Sequence, residues 1–277
     1  MTIAALAAPA AELSPGAVLG RIGGYEARLA RDPAEVEAAQ MLRFRAFLGE
    51  GGAHAHRRDE DGFDALCDHL VVAEASPGAG RRGAIVGTYR MLRGEKAALA
   101  GGFYSAGEFA LGPLLARNGG ERFLELGRSC VAPSHRGRGA VEALWAGIWA
   151  YAGHHRISVM MGCASFPGVL PAAHARELSF LHHRHAAQGR WRVAARPERF
   201  VTMDWMPAEA VDPRAAKAAL PALVRGYLRL GAQFGEGCVV DTHFGTTDVF
   251  VVLPVGQIGR RYLSYYGGGL SNTRRAA

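Results

Sequence analysis

Cysteine is scarce and unclustered in this chain: Cys67, Cys130, Cys163 and Cys238 are spread over 277 residues without a C-x-x-C pair. Such spacing indicates neither a zinc knuckle nor a disulfide scaffold, and a reducing cytoplasm is the simplest setting. No segment reaches the ~18 uninterrupted apolar residues of a spanning helix. The opening MTIAALAAPAAEL has no charged start and too short an apolar core for a secretory signal. Internal repeats are absent. Ser165 is no nucleophile elbow, because Cys163 and Pro167 stand where that motif needs glycines.

Metal ligands are not indicated either. His54 and His56 lie in a polar, glycine-rich loop over 51–64 and read as surface residues. His182, His183 and His185 fall at neighbouring positions of a predicted helix over 171–187, which point in different directions and argue against a shared ion.

What the chain does have is an apolar content of 49%, which excludes a disordered polymer, and a net charge of +7. That charge favours acidic partners: nucleic acid, anionic lipid or an acidic carrier protein. It does not choose among them.

The densest chemistry lies between Phe123 and Gly147. Leu124, Leu126 and Val131 suit a strand, which Pro133 ends because it offers no ladder donor. His135-Arg-Gly-Arg-Gly-Ala140 then turns the chain. Val141, Leu144, Trp145, Ile148 and Trp149 follow at helical spacing. A strand, a glycine turn and a helix start make an anion cradle, because backbone N–H groups and the helix dipole converge there. The bland alternative is a solvated turn bearing two ordinary arginines.

Elsewhere, order is expected from Tyr25, after an alanine-rich disordered leader over 1–20. Asp32-Pro33 caps a helix over 34–47. Strands are expected from His69 and from Ala84 as a hairpin, with Arg90 in the second reading as an edge or surface residue. A short helix is expected over 113–118, a buried strand from Ile157, an extended stretch over 191–206, a helix from Leu220, and strands from Cys238 and Asp248. Strands alternating with helices around one β-turn-α unit argue for an α/β (α+β) fold with a mixed sheet.

The turn Arg136-x-x-Gly139-x-Val141 resembles the phosphopantetheine-binding turn of the GCN5-related N-acetyltransferase superfamily, with Val141 replacing the usual glycine or alanine. Further motifs widen the resemblance. Arg43-x-x-x-Phe47, Asp61-x-x-Asp64 and Glu125-Leu-Gly-Arg128 look like spacings shared with acyl-homoserine lactone synthases. Gly87-Thr-Tyr-Arg90, Gly162-Cys-Ala-Ser-Phe-Pro-Gly, the run from Leu220 to Ala232 and Phe244-Gly-Thr-Thr-Asp-Val complete the set. Over residues 25–266 the chain resembles the ornithine N-acyltransferases of ornithine-lipid synthesis, and the last two runs look specific to that branch.

The resemblance implies a mixed central sheet flanked by helices, an acyltransferase core over 21–206 and a C-terminal extension over 207–266 packed on it; the tail over 267–277, glycine-rich and basic, is expected to be disordered. It implies transfer of a 3-hydroxyacyl group from acyl carrier protein to the α-amine of L-ornithine. No cofactor is bound permanently; the acyl-phosphopantetheine of the carrier is the donor, set on Arg136, Gly137, Arg138, Gly139 and Ala140. Glu125 is the candidate base, its alternative an ion pair with Arg128. Arg43 or Arg90 is the candidate for the substrate carboxylate, Asp61 or Asp64 for its side-chain ammonium, with Phe47 beside them. Structural pairing among these same residues is the equal alternative. The implied setting is cytoplasmic, with peripheral contact to the inner membrane surface left open and no nucleic-acid partner. A lactone synthase, an acyl-CoA-dependent N-acyltransferase and a non-enzymatic basic binding protein are the competing readings.

Overall fold

A computed structural model describes residues 11–49, 57–75 and 83–259. The first ten residues of the expected leader, the expected tail, and His54 and His56 lie outside these. The described residues fall into two compact units, one of 11–49, 57–75, 83–100 and 126–157, the other of 101–125 and 158–259. The units interleave along the chain.

In the first unit, β1 (Val18–Ile22), β2 (Tyr25–Leu29), β3 (Asp68–Glu74) and β4 (Ile85–Arg93) form an antiparallel meander. Order thus begins before Tyr25. Glu12 already ion-pairs with buried Arg93 at 2.6 Å, and the turn at Gly16 leads into β1. Helix α1 (Pro33–Leu48) starts as expected, with the Asp32 carboxylate accepting the Glu35 N–H.

Helix α4 (Arg138–His154) packs across β1 to β4 and buries Leu144, Trp145, Ile148 and Trp149, while Val141 at its start is 39% exposed. Gly147 allows this close approach: a Cβ there would stand 2.8 Å from Leu70 Cδ1. Apolar helix face and sheet thereby form one core, which is the main stabilising term in such a unit.

The second unit is a mixed sheet. Strand β5 (Phe123–Val131) enters it through Phe123, Leu124 and Glu125, which pair parallel with β6 (Val159–Pro167). β6 pairs antiparallel with β8 (Thr246–Pro254) along its whole length, and β8 with β7 (Gln233–Asp241). Before β5 come α2 (Gly94–Leu99), in the first unit, and α3 (Leu111–Arg117), in the second. After β6 come α5 (Ala175–His185), α6 (Pro213–Ala219) and α7 (Ala222–Arg229), with α5 on β7 and α7 on β6. β8 reads Val249-Phe-Val-Val-Leu253 and is buried throughout, as an apolar β-branched run requires. The expected α/β (α+β) class with a mixed sheet describes this arrangement.

Candidate functional site

The turn after β5 is a short 3-10 segment, Pro133–His135, followed by Gly137 as the N-cap of α4. Among the described residues no side chain caps this 17-residue helix. The N–H groups of its first turn, including those of Arg138, Gly139 and Ala140, have no acceptor within the helix. They sit at the positive end of its dipole. The exposed Arg136 side chain donates from Nε to Val131 O at 3.3 Å. Gly139 also has a packing reason to be glycine, since a Cβ there would stand 3.0 Å from two ring carbons of Tyr25. The five expected donor-binding residues form the turn before this helix and its first residues.

A second group in the same unit centres on buried Arg43 of α1. Its Nε donates to Asp59 Oδ2 at 2.8 Å, and its two terminal nitrogens donate to the Asp64 carboxylate at 3.0 Å each. Arg90 donates to Asp61 Oδ1 at 2.7 Å and Asp64 Oδ1 at 3.3 Å. Arg128 donates to Asp59 Oδ2 at 2.9 Å and Asp61 Oδ2 at 3.3 Å. Burial alone would raise the Asp64 carboxyl, but the hydrogen bonds and charge of Arg43, with Arg90, outweigh it and hold the group far below the usual carboxylate range.

Arg43, Asp61, Asp64, Arg90 and Arg128 are thus brought together, with Phe47 half-buried one turn along α1 from Arg43. Arg90 is not the edge or surface residue its sequence position suggested; it is 4% exposed, because the segment from Asp59 to Asp64 covers its strand. Asp59 is the member that spacing did not single out. Arg128 is held at φ 53°, a left-handed conformation that costs a non-glycine residue about 1 kcal/mol or more and persists only where surroundings enforce it. Two bridges to aspartates do so.

In the second unit, Glu125 is 4% exposed and its two carboxylate oxygens accept the backbone N–H groups of Tyr104 and Ser105, each at 2.8 Å. The Ser105 carbonyl in turn accepts the N–H of Glu108 at 3.0 Å and of Phe109 at 2.8 Å. Glu125 therefore fixes the turn from which Glu108 projects. The Glu108 side chain accepts the Cys163 thiol at 3.3 Å and lies 3.4 Å from the Arg199 guanidinium. Carboxylate oxygens of Glu108, Asp241 and Asp248, all buried, lie within 4.8 Å of one another.

Burial raises the Glu108 carboxyl above the ordinary value, and Asp248 and Asp241 raise it further against the opposing effects of Cys163 and Arg199. The Cys163 thiol is itself pushed well up by burial and by Glu108, so it is a neutral donor and no thiolate nucleophile. Sequence reasoning did not single out Glu108 or Asp241. Asp248 carried a signal, as the aspartate of the Phe244-Gly-Thr-Thr-Asp-Val run.

Away from these groups, His182 and His183 converge on Asp204, with His183 Nε2 3.2 Å and His182 Nε2 4.0 Å from its carboxylate. Their positions on α5 do diverge, but both side chains reach toward a carboxylate supplied by another segment.

Residues 42–146 match the model of an acetyltransferase (GNAT) domain. The L-ornithine N(alpha)-acyltransferase of Rhizobium meliloti (strain 1021) is 54% identical, over 95% of this chain and 89% of that protein. The protein of the same name from Agrobacterium fabrum (strain C58 / ATCC 33970) is 53% identical over 91% of this chain and 88% of its own. That of Rhodobacter capsulatus is 43% identical over 87% and 94%.

Proposed function

The chain belongs to the L-ornithine N(alpha)-acyltransferase family, and from that premise we propose that it moves a 3-hydroxyacyl group from acyl carrier protein to the α-amine of L-ornithine, giving a lyso-ornithine lipid. Likeness to those relatives through nearly the whole chain is the observation that carries the reading. In the reaction the amine nitrogen forms the amide bond, the thioester C–S bond breaks, the carrier thiol leaves protonated, and the ammonium proton goes to a base.

The donor side uses the cradle of Arg136, Gly137, Arg138, Gly139 and Ala140. A carrier-bound phosphopantetheine has one phosphodiester and no adenosine pyrophosphate, so Val141 in place of a smaller residue is tolerated. The arginines steer an acidic carrier protein, which makes its apparent affinity fall with added salt. Among the described residues no helix is long and apolar enough to cross a membrane; a product with one acyl chain is compatible with peripheral membrane contact.

On the acceptor side, a base working near neutral pH needs a pKa closer to the operating pH than an ordinary carboxylate has. Glu108 meets that requirement, through burial and its acidic neighbours. Glu125, first expected to be the base, engages a backbone amide with each oxygen and serves better as the residue that positions Glu108. Asp241 and Asp248 supply negative charge for the second ammonium of ornithine. The mutual pairing of Arg43, Asp59, Asp61, Asp64, Arg90 and Arg128 supports a framework role for those residues, with Phe47 beside them, in place of direct grip on the substrate.

The test supplies purified protein with L-ornithine and a 3-hydroxyacyl donor, carried either on acyl carrier protein or on CoA, and follows product mass. An ornithine amide formed faster from the carrier-bound donor is the expected result. Equal use of both donors would overturn the carrier assignment, and absence of any ornithine amide would overturn the reaction.

A further inference from the structure

We propose that His182, His183 and Asp204 form a binding site for one divalent transition-metal ion, which fastens α5 to the segment 202–206. The site uses none of the residues assigned to acyl transfer and is independent of that reading.

Both sides of the site are held before any ion arrives. Ser179 of α5 is fully buried, and its Oγ accepts the N–H groups of Trp205 and Met206 at 3.0 Å each. The same hydroxyl donates to Met203 O at 3.2 Å. Asp204 N–H donates to Thr202 Oγ1 at 3.0 Å. The turn carrying Asp204 is therefore locked onto the helix that carries the two histidines, which is the second layer of support that metal ligands need.

The donor atoms converge. His183 Nε2 lies 2.8 Å from Met206 O and 3.2 Å from Asp204 Oδ1. His182 Nε2 lies 4.0 Å from Asp204 Oδ2, and one donor atom from each of the three residues falls within 4.8 Å of the others. This ring nitrogen faces two oxygens, and an ion placed there would meet the same oxygens.

Two neutral imidazoles and one carboxylate, with a fourth position left for water or the Met206 carbonyl, match the tetrahedral preference of zinc. Its bonds to such ligands are about 2.0–2.2 Å, which sets neighbouring ligand atoms roughly 3.4 Å apart. Closing from the present spacing takes about 1 Å of side-chain rotation on the scale of those bonds. Asp204 is about half exposed, so an ion has a path in.

The experiment uses chelator-stripped full-length protein, titrated with zinc chloride by calorimetry and by thermal melting. The expected result is one equivalent bound and a raised melting temperature, with affinity at least tenfold weaker in His182→Ala and in Asp204→Asn. Both variants should keep the wild-type circular dichroism and acyl-transfer rate, since neither residue belongs to the acceptor or donor groups. Binding that never saturates would overturn the proposal. So would zinc bound equally well by both variants, including the case in which it disappears only when His54 and His56 are replaced.

Discussion

The two units each gather ionised side chains, but in opposite proportion. In the first, Arg43, Arg90 and Arg128 face Asp59, Asp61 and Asp64, and the formal charges cancel. In the second, the buried carboxylates of Glu108, Asp241 and Asp248 converge, with the Arg199 guanidinium 3.4 Å from Glu108. A carboxylate gripped by guanidinium groups keeps its charge and acts as framework, whereas one buried beside other carboxylates favours its proton. The same functional group, a carboxyl, therefore takes opposite shifts: Asp64 is held down, Glu108 is pushed up.

Replacing Arg43 by alanine should break the comparison most severely. It takes from buried Asp59 and Asp64 the guanidinium that hydrogen-bonds both, so a loss of about 3–5 kcal/mol is expected in urea unfolding. A change below about 1 kcal/mol would mean the first group is an ordinary surface network. Glu108→Gln should do the reverse, leaving the urea midpoint near wild type or higher because it removes like-charge repulsion, while acyl transfer falls at least 100-fold.

The smallest effect is in pH dependence, and its sign differs between the groups. Asp64 has a folded pKa below its unfolded value, so its contribution is present above about pH 4 and is lost as pH falls toward the folded value. Glu108 has a folded pKa above its unfolded value, so its contribution is present below about pH 4 and is lost as pH rises through the raised folded value. Asp64→Asn should flatten the acid side of a stability–pH curve and Glu108→Gln the side above it. Identical curves for the two variants would erase the distinction.

These contrasts also mark what the amino-acid sequence discloses. The unit from β5 through the turn into α4 is legible because periodicity, Pro133 and the glycines act locally. The spacing of Arg43, Asp61 and Asp64 is visible, but their partnership depends on how the segment 57–64 folds over Arg90, which no local pattern encodes. Glu108 is the hardest to find. It sits in an unremarkable Gly-Glu-Phe stretch and gains its raised pKa from burial and from Asp248, 140 positions later in the chain, both of which tertiary packing supplies. The strand Val18–Ile22 was hidden for a different reason, because Pro15-Gly16 and the alanine-rich start outweighed five residues of β pattern.

The proposed division of labour gives the proton to Glu108 and the aiming of its turn to Glu125. It is tested most directly by the pH profile of kcat/KM for L-ornithine in the wild type, Glu108→Gln and Glu125→Gln. The account predicts an acid limb in the wild type, a rate lower by at least 100-fold with that limb gone in Glu108→Gln, and a reduced rate with the limb retained in Glu125→Gln. An unchanged limb in Glu108→Gln, or its loss in Glu125→Gln alone, would contradict it.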